Sequence, residues 1–300
     1  MFRVVILGSG ASLPTLQRHP AAVAVQYQGD VHLLDCGEGT QLQWRRTPLR
    51  FGRLRSISIS HLHGDHVNGL VGLLQTLSLG DRSEPLELFG PTGLADYLDA
   101  IQRYQGVRFG YPVQVTESTG GMLLQGNGYH LECASLDHGP PTLGYALVEA
   151  ERAGRFDLAA AAALGVPEGP DFGRLQRGEA VTLGDGTEVR PEQVLGPPRA
   201  GRKVAYCVDT RPCGGALRLA NGATLFVCDA TFGNELEREA VARGHSTSAH
   251  AAKMARQSGA ERLLLTHISA RYHDPRPLLA EAREVFPQSE VASDLMEIDL

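Results

Sequence analysis

No stretch of this 300-residue sequence approaches the roughly 18 consecutive apolar residues that a membrane-spanning helix needs, so no span is expected. The first residues, Met1-Phe2-Arg3-Val4-Val5-Ile6-Leu7-Gly8, lack both a long apolar region and a small-residue cleavage site. They read as a first strand, and a cytoplasmic location is expected. Cysteine is scarce: Cys36, Cys133, Cys207, Cys213 and Cys228 form an odd set with no C-x-x-C spacing. That argues against a disulfide framework and against a cysteine-rich structural zinc site. A cationic excess is missing as well, with 28 Lys and Arg against 34 Asp and Glu. A protein that is basic all over is excluded, whereas a local basic patch is not, because only nearby charges act strongly at physiological ionic strength.

What is present is an ordinary globular balance, 42% hydrophobic and 21% charged, enough for a sizeable core. The length suits one large layered domain over 1–300 carrying an insertion. Residues 2–7 are apolar and β-rich, and 21–35 read as a hairpin turning at Gly29-Asp30. Residues 56–60, Ser-Ile-Ser-Ile-Ser, alternate with period two and run into His61. Val67, Leu70, Val71, Leu73, Leu74 and Leu77 then fall on one face at helical spacing. Residues 129–148 predict a second hairpin, broken at His138-Gly139-Pro140-Pro141. From about 149 to 200 the chain becomes rich in Gly, Pro and charge and poor in core residues, which predicts an arm. A short helix is expected at Ala159 to Leu164, then a hinge at 165–170 and a hairpin around Gly184-Asp185-Gly186. Short apolar strands resume at Val204 to Val208, Leu225 to Val227 and Leu263 to Leu265, with a helix at Ser248 to Gln257. Strand-rich segments in both halves fit two packed sheets with helices outside.

The chemistry concentrates in His61-Leu62-His63-Gly64-Asp65-His66, four zinc-ligand side chains within six positions. In an extended segment residues two apart share a face, so His61, His63 and Asp65 are expected to point together. His66 breaks the alternation, and Gly64 supplies the bend. Six residues cannot complete two metal sites. His138, Asp209 and His267 each follow a predicted strand, and strands ending at one sheet edge bring their last residues together. Imidazole and carboxylate suit Zn²⁺, and a carboxylate such as Asp209 can bridge two ions. Two ions roughly 3.5–4 Å apart can share a water and lower its pKa toward about 7. Asp65 would ligate one ion and accept the nucleophile's proton. His19, His32, His130, His250 and His273 have no such context and read as structural or solvated.

His-x-His-x-Asp-His after an apolar strand resembles the metallo-β-lactamase superfamily. Within it the chain resembles the tRNase Z (ribonuclease Z, RNase BN-like) family in its short form. The likeness runs through Asp35-Cys36-Gly37-Glu38-Gly39-Thr40-Gln41, Asp137-His138, Pro141-Thr142-Leu143-Gly144-Tyr145, Gly244-His245-Ser246-Thr247 and Leu265-Thr266-His267-Ile268-Ser269-Ala270-Arg271-Tyr272. The resemblance implies an α/β fold, an αββα sandwich with a projecting flexible arm, and two Zn²⁺ per subunit, with Mn²⁺ as a substitute. It implies that His61, His63, His138 and Asp209 hold one ion, and that Asp65, His66, Asp209 and His267 hold the other. His245 would assist the leaving 3′-oxygen as general acid or stabilise the phosphate, Asp229 would polarise His245, and Asp35 would orient the metal loop through hydrogen bonds.

The implied activity is endonucleolytic removal of the 3′ trailer from precursor tRNA, leaving a 3′-hydroxyl. The segment 149–200, with Gly-x-Pro-x-Gly-Pro at 165–170, matches the family's arm, which grips the tRNA elbow across a homodimer. Arg152, Arg155, Arg174 and Arg177 are its candidate phosphate contacts, and Arg18 is another near the N-terminus. Two positions depart from the family. Pro14-Thr15-Leu16-Gln17-Arg18-His19 keeps only the Pro and Arg of Pro-x-Lys-x-Arg-Asn, and Asp229 stands where Glu is common. Two other readings compete: a hydrolase of a small phosphodiester, thioester or lactam, and a metal-stabilised RNA-binding protein without catalysis.

Overall fold

Phe2–Gly8 is a strand buried on both faces, and its alternation places it at the centre of a layered body. Phe2, Val4 and Ile6 join a core that also takes Tyr129, Tyr145, Tyr206 and Leu264 from the other sheet. Val5 and Leu7 face the opposite way, into a core shared with Leu70, Leu73, Leu74, Leu77 and Leu98 of two helices. The second sheet repeats the arrangement, with Ala205, Cys207, Phe226 and Leu265 packed against Ala251, Met254, Ala255 and Leu278. Helix, sheet, sheet and helix thus form four layers, and burial on both faces explains why these strands are nearly continuous apolar runs. The computed structural model describes residues 2–300.

Each of the two packed sheets has seven strands. The first runs in the order Glu297–Asp299, Phe2–Gly8, Ala22–Tyr27, Asp30–Leu34, Leu54–Ser58, Leu86–Gly90 and Val113–Glu117. The second runs Ser289–Val291, Leu263–Thr266, Leu225–Asp229, Lys203–Cys207, Leu143–Glu149, Tyr129–Ser135 and Gly120–Gly126. In the second sheet the strands at 203–207, 225–229 and 263–266 are parallel neighbours, so their C-terminal ends lie side by side at one edge. In the first sheet Asp30–Leu34 and Leu54–Ser58 are likewise parallel. The first hairpin turns one residue earlier than its composition predicts. Tyr27 pairs with Asp30, and Gln28 and Gly29 both have positive φ, the pattern of a two-residue turn whose twist matches the strands.

Residues 149–201 form a compact unit of their own. It contains helices Leu158–Ala163 and Pro170–Gln176 and a short pair of strands, Val181–Thr182 and Glu188–Val189. The sequence reads as poor in core residues, yet the unit buries Ala161, Val166, Leu175, Val181, Val189 and Val194 together. These side chains come one or two per element, so no single stretch looks apolar. The Gly165 to Pro170 stretch joins the two helices inside this unit. Gly165 at φ 76° and Gly169 at φ 154° adopt backbone conformations that other residues rarely take.

Candidate metal centre

The strand Leu54–Ser58 delivers the chain to His61, and the extended run ends at His63, the N-cap of a one-turn helix Gly64–Val67. Asp65 and His66 therefore sit in a helical turn, and Asp65 does not share a strand face with His61 and His63 as alternation suggests. Instead the run divides into two groups. His61 and His63 gather with His138 and Asp209, while Asp65 and His66 gather with His267. Asp209 and His267 lie just past the ends of two parallel strands that flank Leu225–Asp229, and both adopt a positive φ, 49° and 58°. Such conformations cost energy in non-glycine residues and cluster at functional sites.

Asp209 stands between the groups. Its Oδ2 is 3.5 Å from Nε2 of both His61 and His138. Its Oδ1 is 3.4 Å from His66 Nε2 and 3.0 Å from His267 Nε2. Asp65 Oδ2 lies 3.4 Å from Nε2 of His66 and of His267, and it accepts a 2.8 Å hydrogen bond from the Ser12 amide. His63 presents its Nδ1, 2.9 Å from His61 Nε2 and 3.4 Å from His138 Nε2.

Two of these converging atoms are left unsatisfied. His66 Nε2 and Asp209 Oδ1 are buried and have no hydrogen-bond partner among the described residues, although opposite groups lie close by. A buried polar atom left this way is costly unless something else binds it. Two ligand atoms about 2.1 Å from one ion at a tetrahedral angle lie about 3.4 Å apart, which is the spacing found here. The donor set is imidazole and carboxylate with no thiolate near it, as suits zinc and similar divalent ions.

The electrostatics point the same way. Burial drives His61 down to about 2, helped by His66 beside it. Burial opposes charge on His66 and His267 too, but the neighbouring carboxylates prevail. Asp209 and Asp35 raise His66 well above its ordinary value, and Asp209 with Asp65 raises His267 to about 10. Burial likewise opposes charge on Asp209, and the His267 and His66 imidazoles hold its carboxyl well below the usual range. The carboxylates of the cluster thus favour positive charge at its centre.

The outer faces of the imidazoles are tied to the fold. Asp35 accepts from His66 Nδ1 at 2.7 Å and from the Tyr206 hydroxyl at 2.8 Å. The Gly244 carbonyl accepts from His138 Nδ1 at 2.9 Å. Asp229 Oδ2 lies 3.0 Å from His245 Nδ1. Burial disfavours its charge, but His245 holds Asp229 in the ionised form. His245 stands beside the centre, its ring 4.9 Å from that of His138 and 5.6 Å from that of His267. Its position follows from the helix that begins next: Thr247 caps Ser248–Ser258, accepting from the His250 amide, and Ser246 Oγ donates to the Thr210 carbonyl.

Relatives identify the family. A protein of Salinibacter ruber named ribonuclease Z is 47% identical over 302 residues, covering 99% of this chain and 94% of its own. The chain belongs to the ribonuclease Z family. The crystal structure of human tRNase Z, short form, superposes with a TM-score of 0.71 at 27% identity, covering 99% of this chain and 98% of the human one. The Bacillus subtilis metallo-β-lactamase fold protein YhfI matches with a TM-score of 0.71 at 16% identity, covering 99% and 98% of the two chains. The fold is therefore the αββα metallo-β-lactamase sandwich. A family profile described as anti-Pycsar protein Apyc1 matches residues 2–102. Ribonuclease Z proteins of this fold are metal-dependent hydrolases, and the donor cluster above is a candidate site for divalent ions.

The candidate RNA contacts are more dispersed. Arg18 is turned inward, its Nη1 donating to Ser9 Oγ at 2.7 Å and to the Ala292 carbonyl at 2.6 Å. Arg152 Nη2 donates to the Ala200 carbonyl at 3.2 Å, and Arg155 is exposed. Arg174 and Arg177 both pair with Glu179, at 3.4 and 3.1 Å. Of the other histidines, His32 is buried between Ser56 Oγ and the Tyr129 hydroxyl, and His19 Nδ1 lies 2.8 Å from Asp294. His250 Nε2 lies 2.9 Å from Glu237, and His273 is exposed. Two side chains in the centre's surroundings went unnoticed in the sequence, Ser60 and Thr231. Both are buried hydroxyls against its histidines.

Proposed function

We propose that this chain is an endoribonuclease that removes the 3′ trailer from precursor tRNA and leaves a tRNA 3′-hydroxyl. Membership of the ribonuclease Z family supports the reaction class. The observation that carries the assignment is the placement of Asp209, one oxygen toward His61 and His138 and the other toward His66 and His267. That division suits two zinc ions, with Mn²⁺ able to replace them: one held by His61, His63, His138 and Asp209, the other by Asp65, His66, Asp209 and His267. When bound, such ions supply an activated water and neutralise the scissile phosphate.

The chain's own groups supply the rest. Asp65, anchored by the Ser12 amide, accepts the proton of the nucleophile. His245 gives its Nδ1 hydrogen bond to Asp229 and offers an Nε2 proton to the departing 3′-oxygen. Asp229 holds that imidazole in the right tautomer and stabilises its charged form, and its shorter side chain reaches His245 without a Glu. Asp35 keeps His66 turned toward the centre.

The unit 149–201 is the tRNA-binding exosite in this reading, acting across a homodimer in the cytoplasm. No helix among the described residues is long and apolar enough to cross a membrane. The unit is not a simple cationic arm, because it carries nine Asp and Glu against six Arg. Its phosphate contacts therefore fall to local arginines, with Arg155 the most available. Incubating the purified protein with precursor tRNAs, with and without encoded CCA, and mapping the product ends tests the assignment. Cleavage at or near the discriminator base with a 3′-hydroxyl supports it. Zinc-dependent hydrolysis of small phosphodiesters with no cut in any precursor tRNA would replace it with the small-substrate reading.

A further inference from the structure

Two buried carboxylates grip the centre's histidines in matching ways. Asp35 accepts from the Ser60 amide at 2.6 Å and the Ser60 hydroxyl at 2.9 Å, and it meets His66 Nδ1 directly at 2.7 Å. Asp229 accepts from the Thr231 amide at 2.8 Å and the Thr231 hydroxyl at 2.7 Å, and it meets His245 Nδ1 directly at 3.0 Å. Each hydroxyl then touches one more imidazole: Ser60 Oγ lies 3.0 Å from His61 Nδ1, and Thr231 Oγ1 lies 2.8 Å from His267 Nδ1. Each also lies 3.3 Å from the histidine that its carboxylate holds directly.

Counting protons leaves one arrangement. An ionised carboxylate only accepts, and a hydroxyl has one proton to give. That proton goes to Asp35 in one case and to Asp229 in the other. The hydroxyl oxygen can then only accept, so the ring nitrogen facing it must carry the hydrogen. Nδ1 of His61 and of His267 thereby carries a hydrogen, which leaves each Nε2 as the ring atom that would ligate an ion.

We propose that Ser60 and Thr231 are positioning residues of the metal centre, each relaying a buried carboxylate to a histidine that the carboxylate does not touch. One carboxylate then orders two imidazoles, Asp35 ordering His66 and His61 and Asp229 ordering His245 and His267. The second pair links the two halves of the reaction, because Asp229 serves a metal-side histidine through Thr231 and the proton-donating histidine directly. This inference rests on the metal-centre reading above.

The test is zinc affinity and stoichiometry, measured by competition with a chromogenic chelator on the full chain, alongside melting of the chelated protein. Wild type should bind two zinc ions. Thr231→Val and Ser60→Ala should each weaken one of the two by about 10–100-fold, the range found when such supporting partners of metal ligands are lost. Thr231→Ser, which keeps the hydroxyl, should stay within about threefold of wild type by the same reasoning. If Thr231→Val does not fold, Thr231→Ala takes its place. Unchanged affinity in the hydroxyl-free variants overturns the proposal, and so does equal weakening in Thr231→Ser and Thr231→Val. A wild-type chain that binds no zinc overturns the metal reading itself, and the relay with it, before any variant is compared.

Discussion

An amide at position 209 keeps the shape of the carboxylate and removes its charge. Asp209→Asn leaves four imidazoles facing a neutral group, whose amide nitrogen has no lone pair with which to ligate an ion. Zinc measured after dialysis should fall for both ions, and precursor tRNA cleavage should drop by about 100-fold or more. Retention of both ions by this variant would show that Asp209 does not bridge. A second residue-level test lies far from the centre, at His32. Its Nε2 donates to the Tyr129 hydroxyl, whose proton goes to Asp30, and its Nδ1 accepts from Ser56, so the ring is neutral. Burial pushes it down to about 4 from its ordinary 6.5, with Arg55 opposing its charge and Asp30 favouring it more weakly than burial disfavours it. Below pH 6.5 the unfolded chain takes up a proton that the folded chain refuses until about pH 4. Stability therefore falls as pH falls through that window, by about 2 kcal/mol at about pH 5 for this one group. Urea unfolding of wild type and His32→Asn at pH 7 and pH 5 checks this. The variant should lose about 2 kcal/mol less than wild type between the two, and parallel losses would refute it.

At the scale of elements, the centre depends on loops held at strand ends and helix starts. Gly244 shows how tightly. It has φ 78°, and a Cβ there would lie 2.0 Å from the His138 carbonyl oxygen, while its own carbonyl holds His138 Nδ1. Gly244→Ala must push the two loops apart, moving His138 and His245 together. Cleavage should fall by about 10–100-fold with loss of zinc, and a variant with wild-type zinc content and rate would count against the coupling. How much of this could be read in advance differs by element. His61 to His66 stand out because four ligand types are adjacent, and Asp209 and His267 because each closes a plain apolar strand. The grouping of Asp65 with His66 was not readable, since a one-turn helix at Gly64–Val67 leaves no periodicity to detect. Ser60 and Thr231 carried no signal either. A serine or threonine gains its role only from which carboxylate folds over it, and Asp35 is 25 positions from Ser60. The Tyr206 hydroxyl that completes Asp35 comes from 171 positions away, across both sheets.

The whole molecule divides into a sandwich and the unit 149–201, and the way the chain enters and leaves that unit makes a clean test of what it does. Leu143–Glu149 and Lys203–Cys207 are antiparallel neighbours, with Val148 paired to Lys203, so the unit is an insertion at the end of a hairpin. Its two ends are close: a Cβ on Gly201 would lie 2.0 Å from the Glu149 carbonyl oxygen. A short Gly-Ser turn can therefore replace 150–200 without parting the strands, since bridging nearby ends costs little loop-closure entropy. The sandwich keeps its three cores, none of which takes a side chain from 150–200. All the donors around Asp209 lie outside the replaced segment as well. The shortened chain should hold two zinc ions and hydrolyse a chromogenic phosphodiester within about threefold of wild type. Its cleavage of precursor tRNA should fall by at least about 100-fold, because most of the affinity for a folded RNA comes from phosphate contacts made away from the scissile bond. Loss of both activities together with the zinc would mean that the insertion supports the fold. Retention of tRNA cleavage would take the exosite away from 149–201 and return it to the sandwich.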